Sequence, residues 1–419
     1  MLLRAGGQNL VDHLRAQFSA QPPRRLGVAV SGGGDSIALM HLLARSFPGR
    51  DVTLLVATVD HGLRPEAASE AALVARQAAG LGLSHETLRW TGWTGEGNLQ
   101  DQARRARYTL LTEWALRNRV TTLALAHTAD DQAETLLMRL SRSAGVSGLA
   151  AMAPRRMQNG VVLVRPLLAI TRDTLRNFLL SEGIGWADDP SNEDARYDRI
   201  KARRALADLA PLGIDAQGLA EVAANMARAR EALDWYTFLA ARDLTRIDGG
   251  DVLLEPRGFR TLPDEIARRM LLHIVGWIGG GEYPPRRAAV AEALAALRHE
   301  RSGQLGGCLI LGQGRRIRFC REHKAVETLT TPQGELWDGR WVLRGPVVKN
   351  GELRALGTAG LKLCPDWRLT GRPHAALIAS PSVWSGDTLI AAPLAGLPNG
   401  WTAELESGEE DFYASLLSH

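Results

Sequence analysis

Short apolar runs and amphipathic stretches take turns through the first half of the chain. LGVAV (Leu26 to Val30) has the length and composition of a buried strand, and it runs into SGGGDS and a helical segment, Ile37 to Arg45. VTLLVATV (Val52 to Val59) is a second strand, ending at Asp60 and His61. A helix from about Glu66 to Ala79 follows, then a weaker strand near Glu86 to Trp90. Asn98 to Arg117 reads as a long arginine-rich helix, and VTTLALAH (Val120 to His127) as another strand feeding the helix of DDQAETLLMRL. VVLVRPLL (Val161 to Leu168) continues the alternation, and Thr171 is placed to cap a helix reaching Leu180. Strands separated by helices at this spacing predict parallel βαβ units, with the active edge at the strands' C-terminal ends. The polar motifs that could carry chemistry fall at those ends.

Beyond Trp186 the pattern changes. A polar loop, ADDPSNED, leads into a basic helix with Arg196, Arg199, Lys201, Arg203 and Arg204, and a boundary is expected between Pro211 and Gly218. Gln217 to His299 is mostly helical, while from Leu309 onward short β-like runs alternate with Gly, Pro and Trp. The expected architecture is α/β: a parallel-sheet domain over residues 1–215, a helical linker domain over 216–303, and a small β-rich domain over 304–419. A chain of 419 residues is too long for one ordinary core, which agrees.

Composition adds little to this and excludes some classes. The net charge is only +4, yet almost all basic residues are arginine, lysine occurring at Lys201, Lys324, Lys349 and Lys362 alone. Arginine's planar fork suits phosphate and base edges, although a GC-rich genome produces the same bias. No stretch approaches the roughly 20 apolar residues of a membrane span. The N-terminal MLLRAGGQNLVDHL lacks an apolar signal core and reads as a short amphipathic helix. Cys308, Cys320 and Cys364 form no metal-ligand cluster, and a sparse, odd count suits a reducing cytoplasm. A cytoplasmic protein with no membrane partner is expected, with a homodimer left open.

The strongest local signal is the strand, glycine turn and helix start at SGGGDS. Gly32, Gly33 and Gly34 let backbone N–H groups approach phosphate oxygens, and the helix N-terminus adds favourable partial charge. Ser31 and Ser36 offer hydroxyl donors, and Asp35 can hold a magnesium ion on a polyphosphate. No lysine follows the glycines, so this is not the G-x-x-x-x-G-K-[ST] loop. A second motif, VDHGLRPEA, carries Asp60, His61 and Arg64; a third, HTADDQAET, spans His127 to Thr135. On a helix Asp131 and Glu134 share a face and could receive a cationic group, while a single residue of rotation decides whether Asp130 or Asp131 faces a pocket. His61 and His127 suit either phosphate contacts or backbone bonds that cap their strands. The run Arg104, Arg105 and Arg107 reads as a solvated face, and Trp90, Trp93 and Trp114 as packing.

With these motifs in place, the chain resembles the PP-loop ATP pyrophosphatases, whose signature is SGGxDS after the first strand. Within them it resembles the lysidine-synthase branch. That branch carries DHGLR after the second strand, H-x-x-x-D-x-x-E-T after a later one, RPLL (here Arg165 to Leu168), Trp186, and D-x-S-N (here Asp189, Ser191 and Asn192). The likeness covers roughly Leu26 to Arg204 and continues more loosely at LGGCLI and RIRFCRE. One departure is Ile200, where family members usually show asparagine between Arg199 and Arg203.

The resemblance implies an AMP-forming ligase that joins L-lysine to the cytidine at the first anticodon position of tRNA(Ile) with a CAU anticodon. The base is first adenylated by ATP, and lysidine, AMP and pyrophosphate are the products. It also implies site residues. Asp35, Asp131 and Glu134 would be catalytic, with Mg2+ at Asp35. Ser31, Gly32, Gly33, Gly34, Asp35, Ser36, Asp60, His61, Arg64 and His127 would hold ATP. Asp131, Glu134, Asp189, Asn192, Arg199 and Arg203 would face lysine or tRNA. A thiolating relative is the nearest rival, yet residues 1–307 contain no cysteine for a sulfur relay. A nucleic-acid-binding module with a relic nucleotide loop is a further alternative, against which the intact Asp35, Ser36, Asp131 and Glu134 count.

Overall fold

The computed structural model describes residues 7–18, 22–48, 52–62, 66–93, 99–187, 198–281, 284–299, 301–313 and 315–417. Two compact units result, Met1–Arg230 and Glu231–Ser418.

The first unit runs α1 (Gly7–Gln17), β1 (Arg25–Ala29), α2 (Gly34–Ser46), β2 (Thr53–Asp60), α3 (Ala67–Gly80), β3 (Ser84–Arg89), α4 (Leu99–Arg117), β4 (Thr122–Ala124), α5 (Ala129–Leu140), α6 (Val146–Leu149), β5 (Arg155–Gln158), β6 (Val161–Val164), α7 (Arg172–Ser181), α8 (Asp198–Leu209) and the start of α9 (Ala216–Leu244). Its six strands form one sheet in the order β3-β2-β1-β4-β6-β5. The pairs β2/β3, β1/β2, β1/β4 and β4/β6 are parallel, and β5 closes the edge antiparallel to β6. The strand order reverses between β1 and β4, where crossovers leave the sheet to opposite sides and open a crevice at the C-terminal edge.

The alternation of side chains along β1 explains the two cores. Val28 joins Leu14, Ile37, Leu39, Leu42, Leu175 and Phe178 beneath α1, α2 and α7. Its neighbour Ala29 faces the other way, with Leu55, Tyr108, Leu111, Trp114, Leu123 and Leu163 beneath α4. Each fully buried Leu or Ile contributes roughly 1.5–3 kcal/mol, so both faces matter to the sheet. Gly27 is required by this packing, since a Cβ there would lie 2.9 Å from Leu123 Cδ1 and 3.0 Å from Trp114 Cζ3. Strand β4 is shorter than the apolar run Val120 to His127 predicts. After Leu125 N–H bonds Val164 O at 2.9 Å, the chain leaves the sheet and carries His127 and Thr128 into the crevice.

The division at Arg230/Glu231 differs from the 215/216 boundary expected from sequence, because Leu219 and Ala223 of α9 pack on Leu136 and Ala151. The second unit likewise mixes residues expected in separate domains. Strands β7 (Thr245–Asp248) and β8 (Asp251–Leu254) join β9 (Gly303–Leu305), β10 (Cys308–Gln313) and β11 (Arg316–Arg321) in one antiparallel sheet, in the order β7-β8-β11-β10-β9. Helices at Asp264–Gly279 and Arg287–Arg298 cover it, with Met270, Ile274, Ile310 and Phe319 in the shared core. Four further strands and a two-stranded ribbon over 330–405 enclose Trp337, Trp341, Val383 and Trp401. All three cysteines are free and buried. Among the described residues no helix is long and apolar enough to cross a membrane.

Candidate active site

The glycine turn leaves β1 and enters α2 with its backbone donors open. Gly33 is the N-cap, and no side chain bonds the first amides of the helix. Gly32 sits at φ +93°, a conformation that favours glycine, and a Cβ there would also press on Glu70 Cβ at 3.2 Å. Ser36 holds the turn from within: its hydroxyl donates to Gly33 O at 2.9 Å and accepts from Ser31 N at 3.1 Å. Ser31 Oγ lies 3.2 Å from the same hydroxyl. Ser36 therefore shapes the loop, while Ser31 and the glycine amides line it. Ala187 N donates to Gly32 O at 3.0 Å, which brings the stretch after Trp186 against the turn.

Across the crevice, Thr128 caps α5. The Thr128 amide and hydroxyl donate to Asp131 Oδ2 at 2.9 and 3.1 Å, and the Asp131 amide returns to Thr128 Oγ1 at 3.4 Å. This box fixes the rotation that sequence left open. Asp131 turns toward Asp35, whereas Asp130 accepts the Arg172 backbone N–H at 2.7 Å and pins the start of α7. One turn along α5, Glu134 is 1% exposed. Its Oε1 accepts from Arg203 Nε at 2.9 Å, and its buried Oε2 has no partner.

The centre of the arrangement is a residue that the motifs did not single out. Arg172 Nε donates to Asp35 Oδ2 at 3.1 Å, its second nitrogen reaches Asp131 Oδ1 at 3.5 Å, and its third lies 3.6 Å from Glu134 Oε1. One guanidinium thus gathers the three carboxylates expected to be catalytic, contributed by α2 and α5. A cation in the first turn of a helix opposes the helix dipole. Arg172 immediately after the Thr171 cap was therefore the available sequence signal for a role outside its own helix.

The electrostatics follow from burial and from Arg172. Burial pushes the Asp35 carboxyl above its ordinary value, and Arg172 only partly opposes this. Burial also works upward on Asp131, but Arg172 and the Thr128 amide outweigh it and hold the group below the usual carboxylate range. The same carboxylates keep Arg172 charged more firmly than usual against its own desolvation. His127 is pulled down to about 3, by burial first and then by Arg165, Arg107 and Arg199 over the opposing effect of Asp131, so its ring is neutral.

The remaining expected residues divide. Asp60 Oδ1 accepts from Gly62 N at 2.9 Å and shapes the turn after β2. His61 sets its ring edge-on to Trp90, with centroids 5.8 Å apart. Arg199 is half-buried at the start of α8, and its charge acts on His127 and Asp131. Ile200, the departure from the family pattern, is buried, so an apolar side chain packs where the family asparagine would stand. Arg64, Asp189, Asn192 and Arg196 lie outside the described residues. Of the arginine run on α4, Arg105 is exposed and bonds Asp101 at 3.0 Å, as a solvated face would. Arg107 departs from that expectation, since burial desolvates its guanidinium.

Comparison with known proteins agrees with this geometry. The PP-loop domain family matches residues 8–210, which hold the glycine turn, both carboxylate helices and Arg172. Over 419 residues, all of both chains, the sequence is 88% identical to the tRNA(Ile)-lysidine synthase of Ruegeria pomeroyi. It is 46% identical over 293 residues to the enzyme of that name from Bradyrhizobium diazoefficiens, covering 68% of this chain and 80% of the relative. With that from Wolbachia pipientis it shares 37% over 344 residues, 80% of this chain and 79% of the relative. A PP-loop turn facing a carboxylate cluster across the sheet's switch point, in a chain alike over its whole length, places this protein in the tRNA(Ile)-lysidine synthase family.

Proposed function

We propose that the protein joins L-lysine to the cytidine at the first anticodon position of tRNA(Ile) bearing a CAU anticodon, consuming ATP and releasing AMP and pyrophosphate. The observation that carries this reading is the meeting of an open helix N-terminus with Asp35, Asp131 and Glu134 around Arg172 at one crevice.

The reaction needs two displacements. The oxygen at ring position 2 of the cytidine attacks the α-phosphate of ATP, and pyrophosphate leaves. The lysine ε-amine then attacks the activated ring carbon, and AMP leaves. The glycine turn binds the triphosphate through backbone N–H groups that require no reorganisation during the reaction. Asp35, in the first turn of α2, is the residue that would hold a magnesium ion on the triphosphate. Bound there, Mg2+ would offset charge on the phosphates.

For the second step an amine must lose a proton. Asp131 is spent on Thr128 and Arg172, whereas Glu134 Oε2 is buried and unpartnered. Glu134 is accordingly the carboxylate that receives the ε-amine, with Oε1 anchored by Arg203. The sulfur-transfer alternative loses support from the cysteines: Cys308 and Cys320 are both in the second unit, and burial raises their thiols, Cys308 to about 12. The cytoplasm, where tRNA and ATP are both available, is the proposed location.

The test is pyrophosphate release from ATP by purified protein, with lysine and tRNA(Ile) supplied together or singly. Release coupled to lysine incorporation into the CAU-bearing tRNA supports the reading. Conversion of ATP to ADP, or release indifferent to tRNA, would overturn it.

A further inference from the structure

We infer that Gln77 is a positioning residue for the triphosphate: it pins a strap of residues 183–187, and the strap aims the Gly33 N–H of the glycine turn into the site. The inference rests on the proposed function to the extent that the glycine turn is where ATP binds.

The strap is the return of the chain from α7. Glu182 caps that helix, and the chain reverses at Gly183, which sits at φ +66°. Ile184 N donates back to Leu179 O at 2.9 Å, and the segment then crosses α3 and α2 to reach the glycine turn. Three contacts mark its course. Glu182 Oε2 meets Arg45 Nη2 of α2 at 2.7 Å, Gly185 O accepts from Gln77 Nε2 of α3 at 2.6 Å, and Ala187 N donates to Gly32 O at 3.0 Å. Between the last two, the Trp186 indole lies against the start of α2, 3.4 Å from where a Cβ on Gly34 would stand. The pair of Arg45 with Glu182 is more than a third exposed on both sides, so solvent screens it and it holds the strap weakly. Gln77 grips the strap midway.

The Gln77 amide is itself fixed. Gly185 O can only accept, so the Gln77 NH2 group faces it, and Oε1 faces His41, whose Nε2 lies 2.9 Å away and must donate. Burial pulls His41 below the ordinary histidine value, which suits a neutral ring with its proton on Nε2. Gln77 stands on the face of α3 that carries Val74 and Ala78 into the core, and from there it bridges α2, α3 and the strap.

The consequence for the turn follows from peptide geometry. A trans peptide is planar, with its C=O and N–H pointing to opposite sides. The strap bonds the Gly32 C=O through Ala187, so the N–H of the same peptide, that of Gly33, points away from the strap. Without that bond, the peptide joining Gly32 to Gly33 has no Cβ on either side to hinder its rotation. Rotated, it presents a carbonyl oxygen to the phosphates and repels them. An N–H fixed in advance binds them without reorganisation.

The test is ATP binding by the full-length protein in the presence of Mg2+, measured by calorimetry. Gln77→Glu keeps an acceptor for His41 but turns a carboxylate oxygen toward Gly185 O, so it releases the strap and leaves α2 tied to α3. Gln77→Met removes both bonds. Both variants should bind ATP roughly 3- to 10-fold more weakly, the usual contribution of a neutral hydrogen bond, with KM for lysine at saturating ATP within about twofold of wild type. Hydrogen exchange in peptides covering residues 182–187 should accelerate in both. Val74→Ala opens a gap in the core on the same helix and lowers Tm, yet it should leave ATP affinity and strap exchange at the wild-type level. The proposal is overturned if folded Gln77 variants bind ATP as the wild type does, or if Val74→Ala weakens ATP binding as much as they do. Wild-type protein that binds ATP with this dependence on Gln77 but makes no lysidine would sink the proposed reaction alone and leave the strap its role.

Discussion

Replacing Arg172 with methionine tests the hub of the site most directly. The change keeps the length and apolar stem of the side chain and removes the cation shared by Asp35, Asp131 and Glu134. Removing one member of a fully buried ion cluster costs about 3–5 kcal/mol, because the partners stay buried and unpaired. Arg172 and Asp131 retain side-chain exposures of 18% and 13%, so a discounted value of about 2–4 kcal/mol is appropriate. For a unit the size of Met1–Arg230, each kcal/mol moves Tm by about 2–4 °C, and a fall of roughly 4–16 °C is expected at pH 7.5. The pH dependence gives a second, independent sign. In the wild type, the depressed Asp131 carboxyl contributes stability above its unfolded pKa, lost as pH falls through the lower folded value. Without Arg172 that contribution disappears, and Asp35, already raised by burial, rises further. The variant's carboxylates then take up protons as pH falls from 7 toward 5, which relieves their repulsion. Thermal denaturation followed by near-UV circular dichroism should therefore show a smaller deficit at pH 5.5 than at 7.5. A shift below about 2 °C, or equal deficits at both pH values, would refute the claim that Arg172 balances these charges.

Glu134→Gln removes the negative charge offered to the amine, and KM for lysine should rise roughly 10- to 100-fold while ATP affinity stays within about twofold; unchanged lysine kinetics would exclude Glu134 as the receiving carboxylate. His127, pulled down to about 3, stays neutral across the working range. Its folded pKa lies below the unfolded one, so its contribution to stability is complete above about 6.5 and declines as pH falls from there toward 3. Nitrogen-15 chemical shifts of the ring at pH 5.5 should report a neutral imidazole, and a charged one would contradict the burial argument. Gly32→Ala forces a side chain into φ +93° against Glu70, costing about 1–2 kcal/mol and weakening ATP binding, measured by calorimetry. Wild-type affinity in that variant would show that the turn does not need its glycine.

How much of this was legible beforehand depended on the range of the interaction. Most strand and helix segments of the first unit followed from local apolar periodicity, and so did the cap at Thr171, whereas the cap at Thr128 and the short strand β5 did not. Strand order was not local. Nothing in β1 or β4 alone states that they are neighbours, yet that pairing opens the crevice. The carboxylates were found because two motifs named them. Arg172 was missed because its partners lie 137 and 41 residues away along the chain. Ser36 had the residue type of a phosphate donor, and only the coordinates reveal its hydroxyl bonded back to Gly33. Arg107 looked like part of a solvated run, since periodicity cannot separate it from Arg105 until α4 is laid against the sheet. The domain boundaries failed to emerge for the same reason: β7 pairs with β8, and β8 finds its other partner strand some 60 residues later, at β11.

Charge in the crevice is sorted by side, and this sorting bears on how a two-step reaction stays ordered. On the α5–α7 side, Asp35, Asp130, Asp131 and Glu134 face two arginines, Arg172 and Arg203, so a cationic ligand is favoured there. On the β4–β6 side, Arg107 and Arg165 form no ion pair with a carboxylate among the described residues, so an anion is favoured. His127 and Asp131 stand at the seam, and Asp131 opposes the loss of the imidazole proton. A lysine amine held by the first side approaches the activated base from the carboxylates, and a departing phosphate is drawn toward the second. Were the two halves interchangeable, the amine would be protonated beside phosphate and the leaving group repelled by carboxylate. Disabling one half should accordingly weaken one class of substrate and spare the other, which a mixed-charge pocket would not do.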